Sequence, residues 1–281
     1  MATADEVREA QRATWADLAP GWDRWDAVIQ RQLGPVGVVM VEALEVGDRD
    51  RHLDVASGTG EPGLTVARIA PRTRVVLTDI SAEMLEVARR RAADELLGNV
   101  ETHVCSADDL PFDDASFDSI TMRFGYMFLP DLALATSELV RVLRPGGRLA
   151  SSVWIDPDRN PWTSVVLAAV AEHVALPPRD PDAPGMYRCA AAGRVSSLYA
   201  AAGLRDVVEH DVDVDLVSAS PAEYWDMISE HVSLVAAALR DVDVATRERI
   251  AATVQDRVAA YQGADGLVQL PGAARVVVGT R

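Results

Sequence analysis

The stretch that decides the fold is His52-Leu53-Asp54-Val55-Ala56-Ser57-Gly58-Thr59-Gly60-Glu61-Pro62-Gly63. It has the pattern of a short apolar strand, a tight glycine turn and the first turn of a helix. Because Gly58 and Gly60 carry no Cβ atom, backbone N–H groups in this turn can approach a ligand closely. Doubly wound α/β folds bind nucleotides at such a turn, so the stretch favours a nucleoside site.

An acidic residue at the end of the next predicted strand supports this interpretation. The apolar run Val75-Val76-Leu77-Thr78 leads directly into Asp79, about 20 residues after the glycine turn, the spacing at which nucleotide-binding folds carry an acid. A carboxylate at that position accepts hydrogen bonds from ribose hydroxyls. Together the two features predict a nucleoside site on a Rossmann-like sheet.

Strand and helix patterns alternate regularly through the first half of the chain. The predicted strands lie at about 51–56, 74–79, 100–105, 117–123 and 148–154, and the predicted helices at about 5–19, 24–44, 61–70, 82–97 and 131–143. The first two helices are separated by a break at Pro20-Gly21. Alternation of this kind is typical of a parallel, doubly wound α/β sheet.

The pattern changes after Trp154. The remaining predicted elements are helices at about 161–175, 190–202, 221–240 and 244–262, and strands at about 206–216 and 274–279. A proline-rich loop over 176–185 would lie over the sheet edge. The late helices separate the last two strands, which indicates an insertion that forms a lid.

Charge and composition restrict the class of partner. The chain has 281 residues and a formal net charge of −16, so nucleic acid would be repelled. Cys105 and Cys189 provide neither a disulfide framework nor metal-ligand spacing, and we predict no metal. The first residues lack the pattern of a signal peptide, and no apolar run is long enough for a membrane span. We therefore expect a soluble, cytoplasmic protein without membrane insertion.

Four segments, taken in order, resemble class I S-adenosylmethionine-dependent methyltransferases, in the group similar to ubiquinone/menaquinone C-methyltransferases and small-molecule tailoring enzymes. They are Leu53–Gly60, Asp79–Leu85, Ala107–Phe112 with Ser116–Asp118, and Arg141–Gly147. Each segment alone is a weak signal, whereas all four in order are specific. The resemblance implies a Rossmann-like, seven-stranded sheet whose last strand is antiparallel.

The same resemblance divides the chain into three regions. Residues 1–45 would form an N-terminal helical cap, and residues 46–155 would form the core that binds S-adenosylmethionine (SAM). Residues 156–281 would complete the sheet and supply helical insertions that form a lid and bind the acceptor.

The resemblance also implies a set of cofactor contacts. Asp54 would hold the cofactor's ammonium directly or through water, and Asp79 would accept hydrogen bonds from the ribose. Many relatives have an acidic residue where this chain has Ser106, so either Ser106 or Asp108 could bind the adenine amino group. The other implied contacts are the backbone of Ala56, Ser57, Gly58 and Gly60 to the methionine part, Ile80 and Met84 around the adenine ring, Ala107 at its edge, and backbone near Arg123 and Phe124 beside the sulfonium.

The acceptor pocket is expected where the sheet meets the lid. Its predicted lining is Trp22, Tyr126, Trp154, Trp225 and His231. A general base is needed only if the acceptor must lose a proton, and the candidates are Tyr126, His231 and His173. The tryptophans at 15, 22 and 25 would either close over the cofactor or only pack the first two helices on the sheet.

Taken together, the sequence predicts methyl transfer from SAM to a small, apolar or aromatic acceptor in secondary metabolism. C-, N- and O-methylation are not distinguished, and the expected partners are the acceptor and a second copy of the chain. One alternative is an NAD-dependent oxidoreductase, because Gly58–Gly63 superficially matches the dinucleotide pattern. Two others are an enzyme such as a cyclase that uses the sulfonium electrostatically, and a binding protein with a relic site.

Overall fold

The structure is a computed structural model that describes residues 3–176 and 180–281. Part of the proline-rich loop predicted over 176–185 therefore lies outside the described residues. Along the described chain, no helix is both long and apolar enough to cross a membrane.

The strands form one large sheet and one small ribbon. In chain order they are β1 (Arg51–Val55), β2 (Arg74–Asp79), β3 (Val100–Val104), β4 (Phe117–Arg123), β5 (Leu143–Trp154), β6 (Arg205–Asp213), β7 (Leu216–Ser218), β8 (Val268–Leu270) and β9 (Ala273–Thr280). The seven-stranded sheet has the order β3-β2-β1-β4-β5-β9-β6, and β7 pairs with β8. Only the last strand, β9, runs antiparallel to its neighbours in the large sheet, which confirms the predicted fold class.

Helices cover both faces and one end of this sheet. In chain order they are α1 (Ala4–Arg24), α2 (Asp26–Leu44), α3 (Gly63–Ile69), α4 (Ala82–Asp94), α5 (Leu132–Val142), α6 (Pro161–Ala171), α7 (Arg194–Ala201), α8 (Pro221–His231), α9 (Ser233–Leu239) and α10 (Val244–Val258). Because both faces are covered, the central strands are apolar along their length. Leu53, Val76 and Ile120 are fully buried.

The order of the central strands fixes where a ligand can bind. β1 pairs with β2 on one side and with β4 on the other, both in parallel, so the chain reverses its direction of travel across the sheet beside β1. Ligands of open α/β sheets bind at this reversal, outside the carboxyl ends of the strands. The glycine turn after β1 lies at that point.

Helix α1 differs from its predicted bounds, because it runs through Pro20 rather than ending there. Thr3 begins the helix with a capping box in which its side chain and that of Glu6 each accept a backbone hydrogen bond. The helix ends at Trp25, whose N–H donates to the Gly21 carbonyl at 3.0 Å. Pro20 removes one helical hydrogen bond, and packing of α1 on α4 and α8 outweighs that loss.

Two other predicted elements are divided in the structure. The helix predicted over 221–240 is interrupted at Val232, which is buried in an extended conformation. The interruption frees the His231 carbonyl, which accepts a hydrogen bond from Trp22 Nε1 at 3.0 Å. The strand predicted over 206–216 separates into β6 and β7.

The Arg144-Pro145-Gly146-Gly147 tract does not only end a helix, as predicted, but already belongs to β5. Gly146 N–H donates to the Arg281 carbonyl, and Arg281 N–H donates to the Gly147 carbonyl. The end of the chain thus extends the pairing that β9 makes with β5.

A matched pair of glycine substitutions tests the packing of α1 on α8. A Cβ atom on Gly21 would lie 2.1 Å from the Glu230 carbonyl oxygen, whereas one on Gly34 in α2 would meet no atom within 4 Å. We expect Gly21→Ala to destabilise the fold by about 1–3 kcal/mol through overpacking. Gly34→Ala should change the stability by less than about 1 kcal/mol, because the helix propensity of alanine is opposed by Pro35, which disfavours a Cβ atom on the helical residue before it.

Urea unfolding of both variants measures this difference in the free energy of unfolding. Equal effects of the two substitutions would mean that α1 does not approach α8 closely in solution.

Candidate functional site

The glycine turn after β1 is built by a few backbone hydrogen bonds. Ser57 N–H donates to the Thr78 carbonyl at 2.9 Å, and Gly60 N–H donates to the Ser57 carbonyl at 2.8 Å. Gly58 has a φ of +54°, and a Cβ atom there would meet nothing within 4 Å, because the residue faces the cavity. Gly60 has a φ of +111°, and a Cβ atom there would lie 2.6 Å from Leu64, so this glycine permits packing against α3.

Asp54 of β1 fixes the turn through hydrogen bonds of its buried carboxylate. Its Oδ2 accepts a hydrogen bond from Gly63 N–H at 2.9 Å, and its Oδ1 accepts one from Thr121 Oγ1 at 2.7 Å. Burial raises the pKa of this carboxyl to about 7, although both hydrogen bonds favour the ionised form. Neither Asp54 nor Gly60 is among the residues that line the cavity. The structure therefore gives Asp54 no direct path to the cofactor's ammonium and places it where it organises the turn.

Asp79, at the end of β2, does reach the cavity. Its Oδ2 accepts Gly58 N–H at 2.9 Å and its Oδ1 accepts Ser81 N–H at 2.9 Å. Burial raises the pKa of Asp79 to about 6, and the backbone hydrogen bonds oppose that shift. Each carboxylate oxygen keeps a lone pair beyond its backbone bond, so the group can accept the two ribose hydroxyls.

A third acidic residue, Asp108, attaches helix α1 at the cofactor end of the site. Asp108 is tied to Arg8 of α1, whose Nη2 lies 2.8 Å from Asp108 Oδ2, and it also accepts a hydrogen bond from Ser106 Oγ. Burial alone would raise the pKa of Asp108, but the hydrogen bonds from Arg8 and Ser106 lower it. Asp108 thus stays ionised and holds α1, while Ser106 rather than Asp108 lines the cavity.

One cavity connects this turn with an apolar chamber. Its volume is about 1260 Å³, including space open to solvent. The wall on the cofactor side is formed by Ala56, Ser57, Gly58, Asp79, Ile80, Met84, Cys105, Ser106 and Ala107. The apolar chamber is bounded chiefly by Trp15, Trp22, Leu33, Phe124, Met127, Phe128, Trp154, Trp162 and Met186. One continuous cavity thus joins the wall beside the glycine turn to the apolar chamber.

Aromatic contacts shape the chamber. Phe124 stacks on Trp154 with ring centroids 4.4 Å apart, and Trp15 meets Phe128 edge-on at 5.1 Å. Two of the three N-terminal tryptophans line the cavity, whereas Trp25 donates from Nε1 to Glu230 at the surface of the helix pair. Closure of the cavity-lining tryptophans over a cofactor stays a prediction.

Two residues predicted to line the acceptor pocket do not do so. Tyr126 is fully buried in the short 3₁₀ helix Tyr126–Phe128, and its hydroxyl is hydrogen-bonded to Thr136 of α5 at 2.9 Å. Burial raises the pKa of this phenol, which makes a base role at Tyr126 untenable. Trp225 lies on a different face of α8 from His231, since six residues correspond to about 240° of helix rotation, and it packs in the main apolar cluster.

The candidate base His173 is also remote from the cavity. Its Nε2 is hydrogen-bonded to Thr253 of α10 at 3.0 Å, and it is not among the lining residues.

His231 remains at the site, and its tautomer is fixed. Its Nδ1 lies 2.7 Å from the Met227 carbonyl, and because a carbonyl only accepts, Nδ1 carries the proton. Burial lowers the pKa of His231 to about 4, so the ring is neutral at pH 7. Nε2 then presents a lone pair and has no hydrogen-bond partner within the described ranges. His231 lines the cavity and contacts Trp22 edge-on at 5.9 Å.

Several site residues were not predicted from the sequence. Arg8 and Gln32 line the cavity from α1 and α2, and neither belongs to a recognisable sequence motif. Arg123 lines the cavity, as predicted for its backbone, and its half-buried side chain also donates from Nη1 to Gln30 Oε1 at 3.2 Å. A polar residue on the apolar face of α2 is the one sequence signal that could have identified Gln32.

Comparison with known proteins agrees with this geometry. Residues 53–147 match the family described as a methyltransferase domain. A demethylmenaquinone methyltransferase of Clavibacter sepedonicus is 39% identical over 146 residues, 52% of this chain and 54% of that protein. An uncharacterized protein of Mycobacterium tuberculosis is 36% identical over 145 residues, 51% of this chain and 49% of that protein. The chain thus spans about half the length of the curated relatives that it matches.

A solved structure shares the fold over a longer range. The YcgJ protein of Bacillus subtilis has a TM-score of 0.56 and 19% identity, and covers 87% of this chain and 97% of its own. The family match covers the turn, Asp79 and the following segments, and the strand order agrees with it: residues 53–147 form a class I SAM-dependent methyltransferase domain.

Proposed function

We propose that the protein binds SAM and transfers its methyl group to a small, apolar or aromatic acceptor. The observation that carries the proposal is one continuous cavity. Its first part lies beside Gly58 and Asp79, and its second part is a chamber of tryptophan, phenylalanine and methionine side chains. A nucleoside cofactor suits the first part of this cavity, and an apolar second ligand suits the other.

The residues of the turn fit the cofactor. Ser57 lines the cavity, and its buried Oγ has no hydrogen-bond partner, so this hydroxyl is available for a polar group of the methionine part. The open space at Gly58 allows the backbone to approach a ligand, and Asp79 can accept the ribose hydroxyls. Ile80 and Met84 offer apolar surfaces for an adenine ring. When bound, SAM would supply a methyl group activated by a positive sulfur.

The chain itself contributes position and exclusion of water. Aromatic walls hold an apolar acceptor against the cofactor, and α1 covers the site through the Arg8–Asp108 ion pair. Positioning two reactants in a near-attack geometry can lower a barrier by about 7–11 kcal/mol. This contribution comes from position alone and does not depend on a base.

His231 can still take part in proton transfer. Its neutral Nε2 can accept a hydrogen bond from an acceptor hydroxyl and take the proton as the hydroxyl oxygen becomes more acidic during methyl transfer. A pKa of about 4 makes it a weak base, which suits an acidic hydroxyl better than an aliphatic one.

The broader predictions accompany this proposal. We propose that the regions 1–45, 46–155 and 156–281 act as cap, cofactor domain and acceptor domain. The homodimer, the cytoplasmic location and a role in secondary metabolism stay predictions. If bound cofactor were never consumed, the cyclase-type alternative would replace methyl transfer.

Cofactor binding should depend on the ionisation of Asp79. Its pKa of about 6 means that acid removes the carboxylate that ribose hydroxyls require, so affinity falls as the pH drops below 6. For one proton, we expect the Kd of S-adenosylhomocysteine to be roughly tenfold higher at pH 5 than at pH 7. Calorimetric titration measures this ratio, and in Asp79→Asn the affinity should be weaker and should change less between pH 5 and pH 7, since Asp54, whose pKa is about 7, still titrates beneath the turn.

Asp109→Asn is the matched control, because Asp109 is an exposed acid of the same region and should leave the pH profile unchanged. Binding of NAD in place of S-adenosylhomocysteine would contradict the proposal and favour the oxidoreductase.

The role of His231 is tested with a ring-preserving substitution. His231→Phe keeps the contact with Trp22 but removes the Nε2 lone pair, so we expect kcat to fall by about 10²-fold or more with S-adenosylhomocysteine affinity unchanged. The assay uses labelled SAM and a hydroxylated acceptor identified by screening. His173→Phe, at a histidine outside the cavity, should leave kcat unaltered; an unaltered kcat in His231→Phe would remove His231 from the chemistry.

A further inference from the structure

Gln32 is a polar side chain in an apolar part of the cavity. It lies on α2 and is only 3% exposed, and it lines the cavity beside Leu33. Its amide nitrogen is buried without a hydrogen-bond partner. Leaving such a donor unpaired is unfavourable, because the group has lost its hydrogen bonds to water.

The fold satisfies comparable amides elsewhere. Asn160, fully buried, donates from Nδ2 to the carbonyls of Ile155, Asp156 and Ala273. Its Oδ1 accepts Ala273 N–H at 3.0 Å. Asn99 likewise donates to three carbonyls. An unpaired amide at Gln32 is therefore an exception that needs its own explanation.

The location of the exceptions supplies the explanation. Among the described residues, the buried side-chain atoms without a partner belong to Gln32, Arg51, Ser57 and Arg188. Of these four residues, Gln32 and Ser57 line the cavity. Ser57 belongs to the glycine turn, where the cofactor is proposed to bind.

Gln32 is associated with the aromatic chamber rather than with the adenine side. Its neighbour Leu33 lines the cavity together with the aromatic side chains of the chamber, whereas the polar residues of the cofactor wall are Ser57, Asp79 and Ser106. A group that pairs with Gln32 is thus most readily supplied by the second ligand.

We infer that Gln32 is a positioning and specificity residue, and that its amide donates a hydrogen bond to an oxygen of the acceptor. This inference rests on the proposed function. The acceptor class is then an apolar molecule with a lone-pair oxygen, such as a ketone, ether or phenol, and not a plain hydrocarbon. A site with a buried donor discriminates against an isostere that lacks the oxygen, because binding that isostere leaves the donor unpaired.

The test uses two probes of the same shape. 2-Acetylnaphthalene carries a carbonyl where 2-isopropenylnaphthalene carries a methylene group. Binding to the wild-type protein, with and without saturating S-adenosylhomocysteine, is followed by quenching of the cavity tryptophans. We expect the ketone to bind roughly three- to tenfold more tightly than the alkene, the equivalent of one net hydrogen bond.

Gln32→Leu removes the donor and keeps an apolar side chain of similar length. We expect the ketone to lose roughly three- to tenfold in affinity, so that the preference disappears, while S-adenosylhomocysteine affinity is unchanged. The melting temperature of the free variant should stay equal or rise, because an unpaired buried amide has been removed. Gln269→Leu, at an exposed glutamine that bonds Asp215, is the matched control and should keep the preference for the ketone.

Several results would overturn the inference. Equal affinity for the two probes in the wild type, no binding of either probe, or an unchanged preference in Gln32→Leu would each exclude the hydrogen bond to the acceptor. A loss of S-adenosylhomocysteine affinity in Gln32→Leu would assign Gln32 to the cofactor instead. Failure of the wild type to bind S-adenosylhomocysteine would contradict the proposed function, and it is distinguishable because the probe comparison is also made without that ligand.

Discussion

The buried carboxylate of Asp54 is the interaction on which the site depends. It joins three elements, because it belongs to β1, accepts a hydrogen bond from Gly63 at the start of α3, and accepts another from Thr121 of β4. These bonds hold the two ends of the glycine turn at a fixed separation. Its negative charge also lies at the N-terminal end of α3, where the helix dipole favours it. Burial of that charge raises the pKa of Asp54 to about 7.

From this anchor the site is assembled outward. The fixed turn places Gly58 N–H so that it donates a hydrogen bond to Asp79. Asp79 also accepts a hydrogen bond from the N–H of Ser81, at the start of α4. Asp54 and Asp79 thus lie near the carboxyl ends of two neighbouring parallel strands, and each holds the start of the helix that follows its strand. Helix α1 then covers the result, held by Arg8 to Asp108 and by Trp22 Nε1 to the His231 carbonyl. The cover is attached to both the cofactor side and the lid side of the cavity.

Sequence patterns were sufficient where the determinants are local. The turn, the acidic end of β2 and the strand alternation follow from short-range spacing, and the structure places Ser57, Gly58 and Asp79 on one cavity wall. The role of Asp54 is harder to predict from the sequence, because a carboxylate near a glycine turn can bind a ligand or the first N–H groups of a helix. Only the observed hydrogen bond to Gly63 distinguishes these two roles.

The predictions that differ from the structure depend on side-chain direction. Tyr126 follows β4 at the expected edge of the sheet, but the 3₁₀ turn points Met127 and Phe128 to the cavity and Tyr126 to Thr136. Arg8 and Asp108 are 100 residues apart in sequence, so no local pattern could pair them. Pro20 was interpreted as a break, because the packing that keeps α1 continuous is tertiary.

The unpaired polar atoms of the cavity show how stability and function are balanced in this fold. An apolar cavity already forfeits dispersion contacts, and unpaired groups at Ser57 and Gln32 add to that cost. Neither feature would persist in a close-packed core that served stability alone. The surrounding interactions offset this cost. Hydrogen bonds of Asp54 and Asp79 fix the glycine turn. Helix α1 is held by the ion pair of Arg8 and by the bonds of Glu230 to Arg24 and Trp25. A rigid cavity wall with unpaired polar groups can discriminate among ligands. A wall that could relax would pair its own donors and would bind any apolar molecule equally well.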